Sequence, residues 1–165
     1  MLPSTSPKHI VRQAMPIEEP VLLGGELVSD AIALWFALRR ANDGIIPDWG
    51  KFRPFDNPRM LPFVSVAKAE ANDYRCILVG EELRELLSIK LEGELLSKAM
   101  PSVNGSDVAR RLDRALSDQL PNYVEKTMGW DQRKSFISYG ALHLPFLSKR
   151  DGCPRILTVV DFEIG

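Results

Sequence analysis

Pro47, Pro54 and Pro58 follow one another between an amphipathic helix and a pair of short strands, and they leave that part of the chain few ways to run. Each proline fixes φ and removes a backbone donor, so the chain past Gly44 must take an extended or turning path. Ahead of it, Leu27, Ala31, Leu34, Trp35 and Leu38 recur at the i, i+4, i+7, i+8, i+11 spacing of one helical face, which predicts a helix from Glu26 to Arg40. Gly24-Gly25 opens that helix and Asn42-Asp43-Gly44 ends it with residues that tolerate the left-handed region. Val28, Ile32 and Phe36 widen the apolar stripe beyond what a helix lying on one core needs. Two arrangements answer such a stripe: deeper burial within the domain, or a helix from a second chain.

Strands follow the crossing. Residues 63–68 alternate weakly with period two, Asn72-Asp73 marks a turn, and residues 74–79 read as the antiparallel partner, closed by Gly80. Leu83, Leu86 and Leu87 give a short helix, with Glu81-Glu82 as its favourable acidic start. Leu95, Leu96, Ala99 and Met100 give another turn or two before Pro101. Ser106-Asp107 supplies an N-cap signal for a helix lined by Val108, Leu112, Ala115 and Leu116 and stopped at Pro121. Three β-rich segments complete the chain, at 123–127, 135–147 and 155–163; residues 129–134 separate the first two, and the turn ending in Asp151-Gly152 joins the last two. Residues 1–24, with Pro3, Pro7, Pro16 and Pro20 and no sustained periodicity, read as a flexible lead to a single domain at 25–165.

This order of elements resembles that of PAS domains, in particular the small single-domain bacterial PAS-like proteins, mostly alphaproteobacterial. The resemblance covers about Leu34 to Glu163. It rests on the Trp-containing helix, the Ile46-Pro47 step, the Asp56-Asn57-Pro58 crossing and Leu61-Pro62 before the first strand. A second signature runs from Tyr139 through Leu144-Pro145-Phe146 to the Asp151-Gly152 hairpin. Gly140 departs from the family pattern, where a Glu often follows the aromatic residue. The resemblance implies an α+β fold with a five-stranded antiparallel sheet, helices on one face and a flanking N-terminal helix. It also implies a sensory or protein-interaction module without an attached enzyme.

Composition fits a single globular domain: 165 residues, 45% hydrophobic and 26% charged. A net charge of −1 gives no basic footprint for nucleic acid. Arg39-Arg40 and Arg110-Arg111 have acids close by at Asp43, Asp107 and Asp113, and both pairs read as solvated helix faces. The N-terminus lacks the apolar core of an export signal, and the longest apolar run, Ala31 to Leu38, is far short of the ~20 residues that span a bilayer. A cytoplasmic protein is therefore expected, with Cys76 and Cys153 as free thiols.

Chemistry-bearing residues are sparse. His143 is the one histidine of the folded region, His9 lying in the lead, and it shares a strand face with Tyr139 and Ala141 while Leu142 and Leu144 take the other. It reads as a structural histidine against a catalytic alternative. Asp161 and Glu163 share a strand face at the chain end and read as solvated carboxylates rather than an acid–base pair. No metal-ligand spacing, phosphate loop, haem-type histidine or reactive-cysteine motif stands out, so no catalytic residue, metal or cofactor is expected. Cys76, Leu78, Leu83, Leu87, Leu112, Leu142 and Leu144 are candidates for the wall of an apolar ligand pocket, or else plain core. Leu27, Ala31, Trp35 and Phe36 are candidates for a homodimer interface. The function expected is a stand-alone sensory module with a signalling partner and a small apolar ligand. The alternative is a small cofactor-free isomerase or dehydratase on a curved sheet, which would show polar residues converging in an apolar cavity.

Overall fold

A computed structural model describes residues 13–53, 56–101, 103–128, 133 and 136–162. The architecture is α+β: one open antiparallel sheet with helices against it. The strands are β1 (Met15–Pro16), β2 (Val64–Glu70), β3 (Asp73–Val79), β4 (Asn122–Thr127), β5 (Ser138–Phe146) and β6 (Arg155–Asp161). The helices are α1 (Glu26–Ala41), α2 (Glu81–Leu87), α3 (Leu96–Ala99) and α4 (Val103–Asp118). Strand order across the sheet is β1-β4-β5-β6-β2-β3. The meander β4-β5-β6 thus meets the first hairpin through β6 and β2, whose register pairs Val64 with Val159 and Lys68 with Arg155.

Among the described residues six strands stand where five were expected. The extra one comes from the lead, where Met15 pairs with Tyr123 and Pro16 with Asn122. Ile17, 2% exposed, donates its N–H to the Pro121 carbonyl and fills the core behind them. Ile17, the residue directly after β1, buries its side chain in a segment that local periodicity left as lead; residues 1–12 lie outside the described set. At the opposite edge, residues 93–95 lie along β3: Gly93 donates to the Cys76 carbonyl and Cys76 to the Glu94 carbonyl.

Helices occupy both faces rather than one. α1 lies on the face carrying Val64, Val66, Leu142, Leu144, Phe146, Leu157 and Val159. There Ala31, Ile32 and Trp35 are fully buried, and Trp35 Nε1 donates to the Pro145 carbonyl at 2.8 Å. The wide stripe of α1 is covered by its own chain: Ile46, Phe52 and Met60 of the crossing, and Ile17 of the lead, belong to the same cluster. Ala31, Trp35 and Phe36 are therefore core residues and not a surface for a second copy; Leu27 is partly buried against the same cluster. Deep burial, the first of the two arrangements the stripe allowed, is the one observed.

α2, α3 and α4 cover the other face. Leu83, Leu86 and Leu87 pack over Val124, Tyr139, Ala141 and Val160, while Leu112, Val108 and Leu116 pack over Tyr74 and Ile156. Tyr74 Oη donates to Asp113 at 2.5 Å, tying α4 to β3. α4 starts at Val103, ahead of the expected Ser106-Asp107 cap, so Asp107 sits inside the helix and pairs with Arg110. Gly105 allows this early start, since a Cβ there would overlap the Met100 carbonyl oxygen.

A candidate ligand cavity with a cationic end

Between α2–α4 and the sheet lies a cavity of about 680 Å³. That is within the roughly 300–1,000 Å³ of small-molecule sites. Its floor is sheet: Ala67, Cys76, Ala141 and Val160 present small or branched side chains where the helices stand off. Leu83, Leu87, Leu91, Met100 and Leu112 form the opposite wall.

Of the seven expected wall residues, the cavity brings together Cys76, Leu83, Leu87 and Leu112. Leu142 and Leu144 point to the α1 face, as their alternation with His143 requires, so the space opens on the His143 side of β5. Leu78 also packs on the α1 side, for a less visible reason. Val66 pairs with Leu78 but Ala67 pairs with Cys76, so Ile77 is an extra residue that bulges outward. The bulge breaks the period-two rule, and Cys76 and Leu78, two apart in sequence, end on opposite faces. Burial pushes the Cys76 thiol up to about 11, which leaves it an inert wall atom rather than a nucleophile.

One end of the cavity is polar, and most of its members were not singled out by sequence. Arg111 is 7% exposed and its Nε donates to His143 Nε2 at 3.2 Å. His143 Nδ1 meets Thr158 Oγ1 at 2.8 Å. Because Nε2 accepts, the ring proton sits on Nδ1 and is donated to Thr158. Burial, reinforced by the Arg111 charge, holds the His143 pKa well below its ordinary value, so the ring is neutral. Lys126 and Tyr139 line the same end. Burial and then the charges of Arg111 and Arg110 lower the Lys126 pKa, while burial raises that of Tyr139.

The reading of Arg110-Arg111 as a solvated pair holds for Arg110, which is exposed, and fails for Arg111. A signal existed: Arg111 is three residues after Val108 and four before Ala115, both on the buried face of α4. Arg39 likewise lies over the Trp35 and Phe36 rings, 5.9 and 5.8 Å from their centroids, rather than in open solvent.

Asp161 is buried, at 2% exposed, on the α1 face and away from the cavity; Glu163 lies outside the described residues. The Asp161 carboxylate accepts from Val28 N–H at 3.4 Å, at the electropositive start of α1. Gly25 is required there because a Cβ would collide with that carboxylate. Gly140 is required for a similar reason: a Cβ would meet the Tyr123 hydroxyl, which donates to Glu125 at 2.8 Å.

Among the described residues no three of His, Cys, Asp and Glu come together as metal ligands, and no helix is long and apolar enough to cross a membrane. No family model matches the chain, and no curated protein matches it.

Proposed function

We propose that this chain is a PAS-type sensory module that holds a small ligand between its sheet and α2–α4 and reports occupancy to a protein partner. The observation that carries the reading is the cavity itself, about 680 Å³ of space beneath a layer of short helices. The order of elements supports it: helix, two strands, helices, then a three-stranded meander whose last strand lies beside the first strand of the hairpin. α2 and α3 are short and each has a single buried residue, Leu83 and Leu96, and elements of that kind are the ones able to shift when a ligand arrives.

Polar residues do converge on the cavity, which is what a small enzyme on a curved sheet would need. The difference lies in His143. Both of its ring nitrogens are engaged, one by Thr158 and one by Arg111, so no lone pair is free to take a substrate proton. Binding is the better use of this geometry.

The test is a comparison of native and denatured masses of the purified chain, with thermal-shift screening against a small-molecule library. A non-covalent adduct that is lost on unfolding, or a compound that raises the midpoint in a dose-dependent way, supports the reading. A chain with no adduct and no compound that stabilises it refutes it.

A further inference from the structure

Arg111 has a buried charge and, among the described residues, no carboxylate to answer it. Its Nε is spent on a neutral imidazole, and among the described residues no acid forms an ion pair with it. The two acids at the cavity are held elsewhere, Asp107 by Arg110 and Glu125 by the Tyr123 hydroxyl. Lys126 adds a second cation at the same end, also without an ion-pair partner among the described residues. Two cations lining one half-open cavity repel each other, and at Arg111 burial withholds much of the water that would offset this. An arrangement of this kind is relieved by an anion that enters the space. With Nε engaged, the guanidinium still offers its Nη groups, whose parallel N–H bonds match the two oxygens of a carboxylate.

Resting on the ligand-binding reading above, we propose that the ligand is an amphipathic carboxylate. Its head is held by Arg111 and Lys126, and its hydrocarbon body lies among Leu83, Leu87, Leu91 and Met100. The lining is amphipathic in this same sense: Leu83, Leu87, Leu91 and Met100 come from α2 and the residues around α3, while Arg111, Lys126 and the His143–Thr158 pair come from α4 and the strands β4, β5 and β6. Asp107 also lines the cavity, one turn from Arg111, and its charge is answered by the exposed Arg110.

Calorimetric titration of the full chain with octanoate, dodecanoate and 4-phenylbutyrate, each against its matching alcohol and against dodecyl phosphate, tests the proposal. The expected result is that at least one carboxylate binds tenfold or more tightly than its alcohol and more tightly than dodecyl phosphate. Arg111→Met, which keeps the side-chain bulk, should abolish the preference for acid over alcohol while leaving alcohol binding in place. Lys126→Met, at a half-buried position, should reduce the preference severalfold and serves as the second readout if Arg111→Met does not fold. Alcohols binding as tightly as acids would overturn the anion proposal but leave a ligand-binding module standing. Tighter binding of dodecyl phosphate would replace the carboxylate by a phosphate head. Failure of every probe would overturn the proposal, and if the native mass also shows no adduct, the sensory reading falls with it.

Discussion

His143 shows how one residue is set by its surroundings. In the unfolded chain its imidazole titrates near pH 6.5. In the folded protein burial and Arg111 keep it neutral far below that. Below about pH 6.5 the unfolded state therefore takes up a proton that the folded state refuses, and stability falls as pH falls. Above that pH the two states bind equal numbers of protons at this site and the effect vanishes. Between pH 7 and 5.5 the loss from this one group is about 1 kcal/mol. Denaturant unfolding of the wild type across that range should show this loss in excess of His143→Gln, whose amide oxygen still accepts from Arg111. Parallel pH profiles for the two proteins would show that His143 titrates normally. The strand face of His143 was legible, because alternation along β5 places it with Tyr139 and Ala141. Its partners were not, since Arg111 and Thr158 come from distant segments that only the sheet and α4 bring together.

Among elements, α1 carries the clearest lesson. Its extent and its glycine start follow from spacing alone, and the structure extends it by a single residue to Ala41; its buried face is turned toward Val28, Ile32 and Phe36, leaving Leu27, Leu34 and Leu38 partly buried at the edge. What covers its wide stripe was not legible, because Ile46, Phe52 and Met60 lie in a proline-rich crossing with no periodicity to reveal which of its residues turn inward. Phe36 is 7% exposed and edge-on to Trp35, with ring centroids 5.0 Å apart. Phe36→Ala should cost about 3–5 kcal/mol of folding stability in chemical denaturation, as expected for a buried aromatic. Phe36→Glu should unfold the chain rather than release a monomer from a dimer. A folded, dissociated Phe36→Glu protein in sedimentation would return α1 to an interface. β3 teaches the complementary point: the bulge at Ile77 has no mark in an apolar run, and it alone moved Leu78 off the cavity wall.

For the whole molecule, a sheet covered on both faces makes neighbouring positions on one strand answer to different environments. Ala141 lines the cavity, while Leu142 is fully buried beneath α1. Ala141→Phe should project into open space, leave stability within about 1 kcal/mol of wild type and displace any ligand. Leu142→Trp should overpack the dense α1 side at a cost of about 1–3 kcal/mol, with no direct effect on the cavity. Denaturation and ligand titration of the two variants together would check this; equal destabilisation by both would mean that the cavity closes in solution. The hairpin β5–β6 and the overall order of strands were legible from turn signals and β-rich runs. That helices lie on both faces was not, since a fully buried strand reads as an apolar run from either side.

The two rims of the sheet bear on how the protein behaves when crowded. Bare strand edges are templates on which further chains add, leading to aggregates. Here the outermost strand on one side is two residues long and ends in Pro16, which has no N–H to offer an incoming strand. On the other side residues 93–95 hydrogen-bond to β3 near its middle, and the outward bulge at Ile77 interrupts the rest. A concentrated solution should therefore resist fibril growth through its sheet. Pro16→Val is the substitution that would reopen a rim to it.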